Sequence, residues 1–231
     1  MGAMPAETFS DRADWLVWQL ADSAFPTGGF AHSLGLEAAW QHGFVPDGGA
    51  LRAFVVQMLR QQVTTALPFV NTVHGTPERA GELDHWCEAL LTNHVARRAS
   101  QQQGQTLLAT VVRAFAPATA QRYRQDVLRE EAPGHLPVVF GLVMQELGLG
   151  LARTVQLFLF LQMRAALSAA VRLGVVGPIE AQQIQASLGT ELSALAERGT
   201  TATLEDLAQT APLLELLQGT QDRLYSRLFQ S

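Results

Sequence analysis

Apolar positions recur along this chain at intervals of three and four residues, the spacing that lines one face of an α-helix. The clearest stripe is Leu51, Phe54, Val55, Met58 and Leu59, which predicts a helix over 50–65. Trp15, Trp18, Gln19 and Asp22 share a helical face, with Leu16, Leu20 and Ala24 beside it, and Ser10 or Asp11 stands where an N-cap belongs. That predicts a helix over 11–24, followed after a sharp turn by one over 31–42 that stops at Gly43. Leu67 to His74 is a short apolar piece behind the break at Pro68. Thr76-Pro77 sets a hydroxyl cap before Pro at the first helical position, opening a helix to about His94 that buries Leu83, Trp86 and Leu90. Further helices are predicted over 97–115, with Gly104 as its weak point, over 118–130 with a solvated charged face, over 138–147 and over 178–198. The longest pattern, Leu151 to Leu173, is apolar at Val155, Phe158, Leu159 and Met163. It then turns small through Ala165, Ala166, Ser168, Ala169 and Ala170, which lets another helix approach closely. Thr203 caps a short helix, and Pro212 opens the last one, with Leu213, Leu217, Thr220 and Leu224 along one face. No segment alternates with period two between turn signals. The expected fold is a single all-α domain of about ten helices with short loops over residues 10–231, behind a flexible leader at 1–9.

The stretch around which the rest is organised is the corner between the first two helices, Phe25-Pro26-Thr27-Gly28-Gly29-Phe30. Pro26 fixes φ and lacks a donor, while Gly28 and Gly29 allow positive φ or a close backbone approach. The helix expected after it carries His32, Ser33, Gly35 and Glu37 close to the turn. A phosphate-cradling loop, a hydrolase nucleophile turn and a protein-docking corner are the functional readings, against a plain tight helix–helix turn. A phosphate loop requires a Lys that this chain, which has none, does not supply. A nucleophile elbow needs Gly two residues before its Ser, where Ala31 stands. His32 and Ser33 are adjacent, and adjacent side chains on a helix do not face each other.

Composition narrows the field further. Hydrophobic residues make up 48% and charged residues 16%, below the ~25% of ordinary soluble domains. Surface given to apolar and small residues suits a partner or self interface. A net charge of -5 disfavours nucleic acid as a partner, and the apolar run Leu157 to Leu161 is too short to span a bilayer. The single cysteine, Cys87, permits no internal disulfide, which agrees with a cytoplasmic location. No HExxH or CxxC is present, and Cys87 with His85 or His94 makes no site at helical spacing. No cofactor, metal ligand or catalytic residue is therefore assigned. At the other end, Arg223, Tyr225, Arg227 and Phe229 alternate cation and aromatic. Either this tail folds back on its own core, or it is an anchor for a partner's groove.

Three stretches in order resemble the family of the urease accessory protein UreF. They are Leu20 to Glu37 (LADSAFPTGGFAHSLGLE), Arg164 to Pro178 (RAALSAAVRLGVVGP) and Ala211 to Ser231 (APLLELLQGTQDRLYSRLFQS). Thr27 and the His-Ser pair depart from the wording common in bacterial members. The resemblance implies an all-α, homodimeric, non-enzymatic helper. Such a protein bridges UreD (also called UreH) and the GTPase UreG on apo-urease and regulates GTP-dependent nickel insertion. It implies that Gly28, Gly29, Phe30, Ser33, Gly35 and Glu37 shape a partner surface. Arg172, Gly177 and Pro178 would lie near the dimer or GTPase-facing surface, and Arg223, Tyr225, Arg227 and Phe229 in a tail ordered against UreD. The alternative is a small all-α metal-binding protein or enzyme using the His32-Ser33 corner.

Overall fold

The computed structural model describes residues 12–231; the leader at 1–9 and the caps Ser10 and Asp11 lie outside the described residues. The chain is all-α, as expected. Its helices are α1 (Arg12–Ala21), α2 (Leu36–Gln41), α3 (Gly48–Thr65), α4 (Leu67–Gly75), α5 (Ala80–Leu90) and α6 (His94–Phe115). They continue with α7 (Ala118–Leu128), α8 (Leu136–Glu146), α9 (Leu151–Leu173), α10 (Pro178–Ser187), α11 (Gly189–Thr200) and α12 (Pro212–Gly219).

The core is built around α8, in which every residue from Pro137 to Met144 is buried. It packs between α4 and α6, and a Cβ on Gly141 would meet the Val70 carbonyl at 2.5 Å, so glycine there sets how closely α4 and α8 approach. Beside it runs α9, contacting α11, α3, α10 and α2. By length and composition α9 could cross a membrane, but 61% of its most apolar window is buried inside the domain, as in a core helix. Phe140 and Phe158 join α8 to α9 edge-on, 5.2 Å between ring centres.

Several boundaries differ from the sequence expectation, each for a local reason. The second helix begins only at Leu36, because Leu34 (φ 57) and Gly35 (φ 83) are both left-handed. His32 and Ser33 therefore sit in a turn, not on a helix face, with His32 extended (φ -123, ψ 134). The helix expected to run to His94 stops at Leu90, and Asn93 caps α6 by accepting from the Val95 and Ala96 amides. Gly104 is no weak point: α6 continues through it, and a Cβ there would meet the Gly134 carbonyl at 2.1 Å. The helix expected over 178–198 is two, parted at Leu188. The last helix ends at Gly219, and of its expected face Leu217 is buried while Leu213 is exposed.

Candidate protein-docking site

The corner and the tail form one unit. Gly28 is left-handed (φ 76) and its Cα faces Thr106 of α6, where a Cβ would come within 3.1 Å. Gly35 is left-handed as well, and a Cβ there would stand 3.0 Å from Cβ of Gln218 on α12. These two glycines let the corner turn while lying flat on α6 and α12. The turn delivers Ser33 and Glu37 inward, toward residues 221–231. Glu37 is 2% exposed. Its carboxylate accepts from the Leu228 amide at 2.6 Å, the Phe229 amide at 3.0 Å and Nε2 of Gln221 at 2.7 Å. A buried carboxylate with three donors is fully satisfied, and charge-assisted bonds of this kind are the strong ones. Ser33 donates its amide and its hydroxyl to the Ser231 main-chain oxygen, each at 2.6 Å. His32 Nδ1 lies 2.8 Å from the Ser231 hydroxyl, and the Gln230 amide donates to the Ala31 carbonyl at 2.9 Å. Each member of the His32-Ser33 pair thus bonds Ser231 rather than its neighbour.

A second set of contacts fastens the tail from outside. The Arg172 guanidinium, from the last turn of α9, stacks between the rings of Phe30 (3.8 Å) and Phe229 (4.3 Å) and donates to the Phe30 carbonyl at 2.5 Å. Asp222 takes ion pairs from Arg98 (2.8 Å) and Arg227 (3.1 Å), and His94 Nε2 lies 3.2 Å from it. The hydrogen bond from Arg98 holds its carboxyl below the usual carboxylate range. Gln41 donates to the Ser226 carbonyl at 2.9 Å. Burial, and then the Arg98 cation, lower the His32 pKa to about 4, so the imidazole is neutral at pH 7.

Of the predicted site residues, the structure brings together Gly28, Gly29, Phe30, Ser33, Gly35, Glu37, Arg172, Arg227 and Phe229. Phe229 and Glu37 are buried against each other's segments, whereas Phe30 is 73% exposed and Tyr225 fully so. Arg223 is exposed beside them, and Gly177 and Pro178 open α10 without joining these bonds. Gln221, Arg98, Asp222 and Ser231 were not singled out from sequence, and no motif marks them. Trp40 on α2, Leu213 and Leu216 on α12, and Leu228 in the tail are also exposed, and α2 packs on α12. A hydrogen-bonded polar seam therefore carries apolar and aromatic side chains on its outside, the arrangement of a docking surface. It offers no paired nucleophile and base.

An all-α fold with such an aromatic–arginine surface defines a scaffold suited to docking other proteins. The sequence profile of the UreF family matches residues 45–189. A urease accessory protein F of Oryza sativa subsp. indica is 38% identical over 228 residues, covering 97% of this chain and 87% of its own. That of Arabidopsis thaliana is 35% identical over 226 residues (96% and 94%), and a urease accessory protein UreF of Arthrobacter sp. (strain FB24) 33% identical over 217 residues (92% and 95%). The chain belongs to the UreF family, and homology of this extent supports a role in urease maturation. The profile match leaves out the corner and the tail, while the full-length relatives align across nearly the whole chain.

Proposed function

We propose that this chain is a non-catalytic, cytoplasmic, homodimeric scaffold of urease maturation. It bridges UreD (UreH) and the GTPase UreG on apo-urease and regulates GTP-dependent nickel insertion, with nickel as cargo. The observation that carries this reading is the seam of Glu37 and Ser33 to residues 228–231, which holds a tail whose Tyr225 and Leu228 side chains stand exposed. Tyr225, Leu228 and Phe30 are exposed on that seam, and exposed aromatics on a preorganised backbone bind with little further loss of entropy. Partner contacts at Gly28, Gly29, Gly35, Arg172, Gly177, Pro178, Arg223 and Arg227 belong to the same proposal.

The test is size-exclusion chromatography with light scattering on the chain alone and co-expressed with UreD and UreG from its own source. A dimer that shifts to a larger complex supports the scaffold, and a monomer that ignores both proteins overturns it. Tyr225→Ala with Leu228→Ala removes exposed groups only. It is expected to leave the melting temperature unchanged and to weaken UreD capture at least roughly tenfold, as loss of an aromatic anchor does. Unchanged capture removes the tail from the docking surface.

A further inference from the structure

Behind the glycine corner lies a cleft of about 480 Å³, open at the surface between the corner, α6, α8 and α9. Its walls are apolar, chiefly Phe140 and Phe158, with Ala165 and Ala169 of α9 keeping it wide. Two glutamines interrupt those walls. Gln103 of α6 and Gln162 of α9 are each 7% exposed and line the cleft. Among the described residues, neither carboxamide has a hydrogen-bond partner in the chain. The Gln103 amide oxygen points toward the corner, 3.9 Å from where a Gly29 Cβ would stand. Neither carboxamide is wholly enclosed, so their polar atoms reach open space, where water or an entering polar group can bond them.

Charge makes the site more specific. Among the described residues Arg164 and Arg172 line the cleft and no Asp or Glu does, although Asp22 lies close enough to Arg164 to act on its charge, in a protein whose net charge is -5. Arg164 donates to the Ala21 carbonyl and Arg172 to that of Phe30, which uses only part of their five N–H groups. Two cations, two free amides and aromatic walls together favour a carboxylate joined to an apolar group. We infer that the cleft receives an acidic side chain with an apolar neighbour from a partner protein, the carboxylate meeting Arg172 and the Gln103 amide at the corner while Arg164 and Gln162 line the same walls. The inference rests on the scaffold reading, since it gives the partner's chemistry at the same corner. Phe30 and Arg172, stacked at the mouth, place the cleft beside the exposed docking surface.

The experiment titrates the isotope-labelled full chain with N-acetyl-phenylalanyl-aspartyl amide and follows the side-chain amide signals of Gln103 and Gln162 by NMR. Saturable shifts are expected, and the asparaginyl analogue should bind roughly tenfold more weakly, the worth of a charge-assisted bond over a neutral one. Gln103→Leu with Gln162→Leu should melt no lower than the parent and lose the response. Arg172→Met should lose the preference for the acid over the amide, and it serves as a second variant if the first folds poorly. No saturable shift, equal binding of the two peptides, or full binding by the double leucine variant overturns the inference. A chain that assembles with UreD and UreG but ignores the peptide loses only the cleft, whereas failure to assemble counts against the scaffold itself.

Discussion

Two buried carboxylates do the same chemical work in this fold with different consequences. Asp84 of α5 is fully buried and accepts from the Tyr123 hydroxyl (2.6 Å), the Gly134 amide (2.5 Å) and the His135 amide (2.9 Å). Glu37 accepts from two consecutive amides and a side chain in the same manner. Around Asp84 everything is held twice. His135 is buried and bonds Glu88 at 2.7 Å and Ser100 at 3.2 Å, while Gly104 abuts the Gly134 carbonyl. Burial, and next the Asp84 charge, push the Tyr123 hydroxyl far above its ordinary pKa, so it stays a donor. The clamped turn lies between α7 and α8 and cannot leave without moving the core. The segment clamped by Glu37 buries little beyond Phe229 and Ser231, and Tyr225 to Leu228 face outward. Equal hydrogen bonding thus makes a permanent joint where apolar burial backs it, and a separable one where burial is thin.

The strongest way to break that comparison is to remove Asp84. Asp84→Ala leaves two buried amides and a phenol without acceptors in a site no water can easily refill. It is expected to cost about 3–5 kcal/mol of global stability. At about 2–4 °C per kcal/mol for a chain of this size, the melting temperature should fall by roughly 6–20 °C. Thermal unfolding by circular dichroism measures it. A fall of only a degree or two would show that the joint is not what holds α5 to the α7–α8 turn.

Glu37→Gln should act locally. Its amide nitrogen would face the Leu228 or Phe229 amide, donor against donor, and the tail should detach while the helices stay. We expect a local cost of about 2–3 kcal/mol, read as roughly hundredfold faster hydrogen exchange at the Leu228 and Phe229 amides. Exchange in α8 should be unchanged. If α8 exchanges faster as well, the tail is part of the core and the two carboxylates are equivalent.

The contrast also separates what the sequence made legible from what it did not. Helices such as α3 and α9 follow from a local period of 3.6, which needs only neighbours within a turn or two. The corner was legible through Pro26, Gly28 and Gly29 for the same reason, and its resemblance to a known family pointed to Ser33 and Glu37. What those two residues hold was not legible. Glu37 and Phe229 are separated by 192 positions, and nothing in Gln221 or Ser231 announces a partner. Two left-handed residues in succession, Leu34 and Gly35, displaced the start of α2, because a leucine at positive φ is set by tertiary packing and not by propensity. Gly104 read as a helix weakness for the opposite reason: its value lies in a contact with Gly134 that local rules do not contain.

The smallest expected effect distinguishes the two joints by pH. His32 sits at the Glu37 joint, with its pKa lowered to about 4 by burial and then by Arg98. In the unfolded chain it titrates near 6.5. Between those values the unfolded state holds a proton that the folded state does not, so acid favours unfolding. The contribution is full above about pH 6.5 and is lost as pH falls toward 4, on the order of 1–2 kcal/mol by pH 5. The carboxylates with depressed values, Glu82, Glu191, Asp206 and Asp222, lose their contributions as pH falls from their ordinary values of 4.5 and 3.8, below pH 5. His32→Gln keeps a polar group for the Ser231 hydroxyl but cannot titrate. Tail-amide exchange compared at pH 7 and pH 5, corrected for intrinsic rate, should therefore speed up in the parent and much less in the variant. At the Asp84 joint the Gly134 and His135 amides should respond to pH in the same way in the parent and in the variant. An equal response at both joints, or in both proteins, would mean that the protonation of His32 does not loosen the tail.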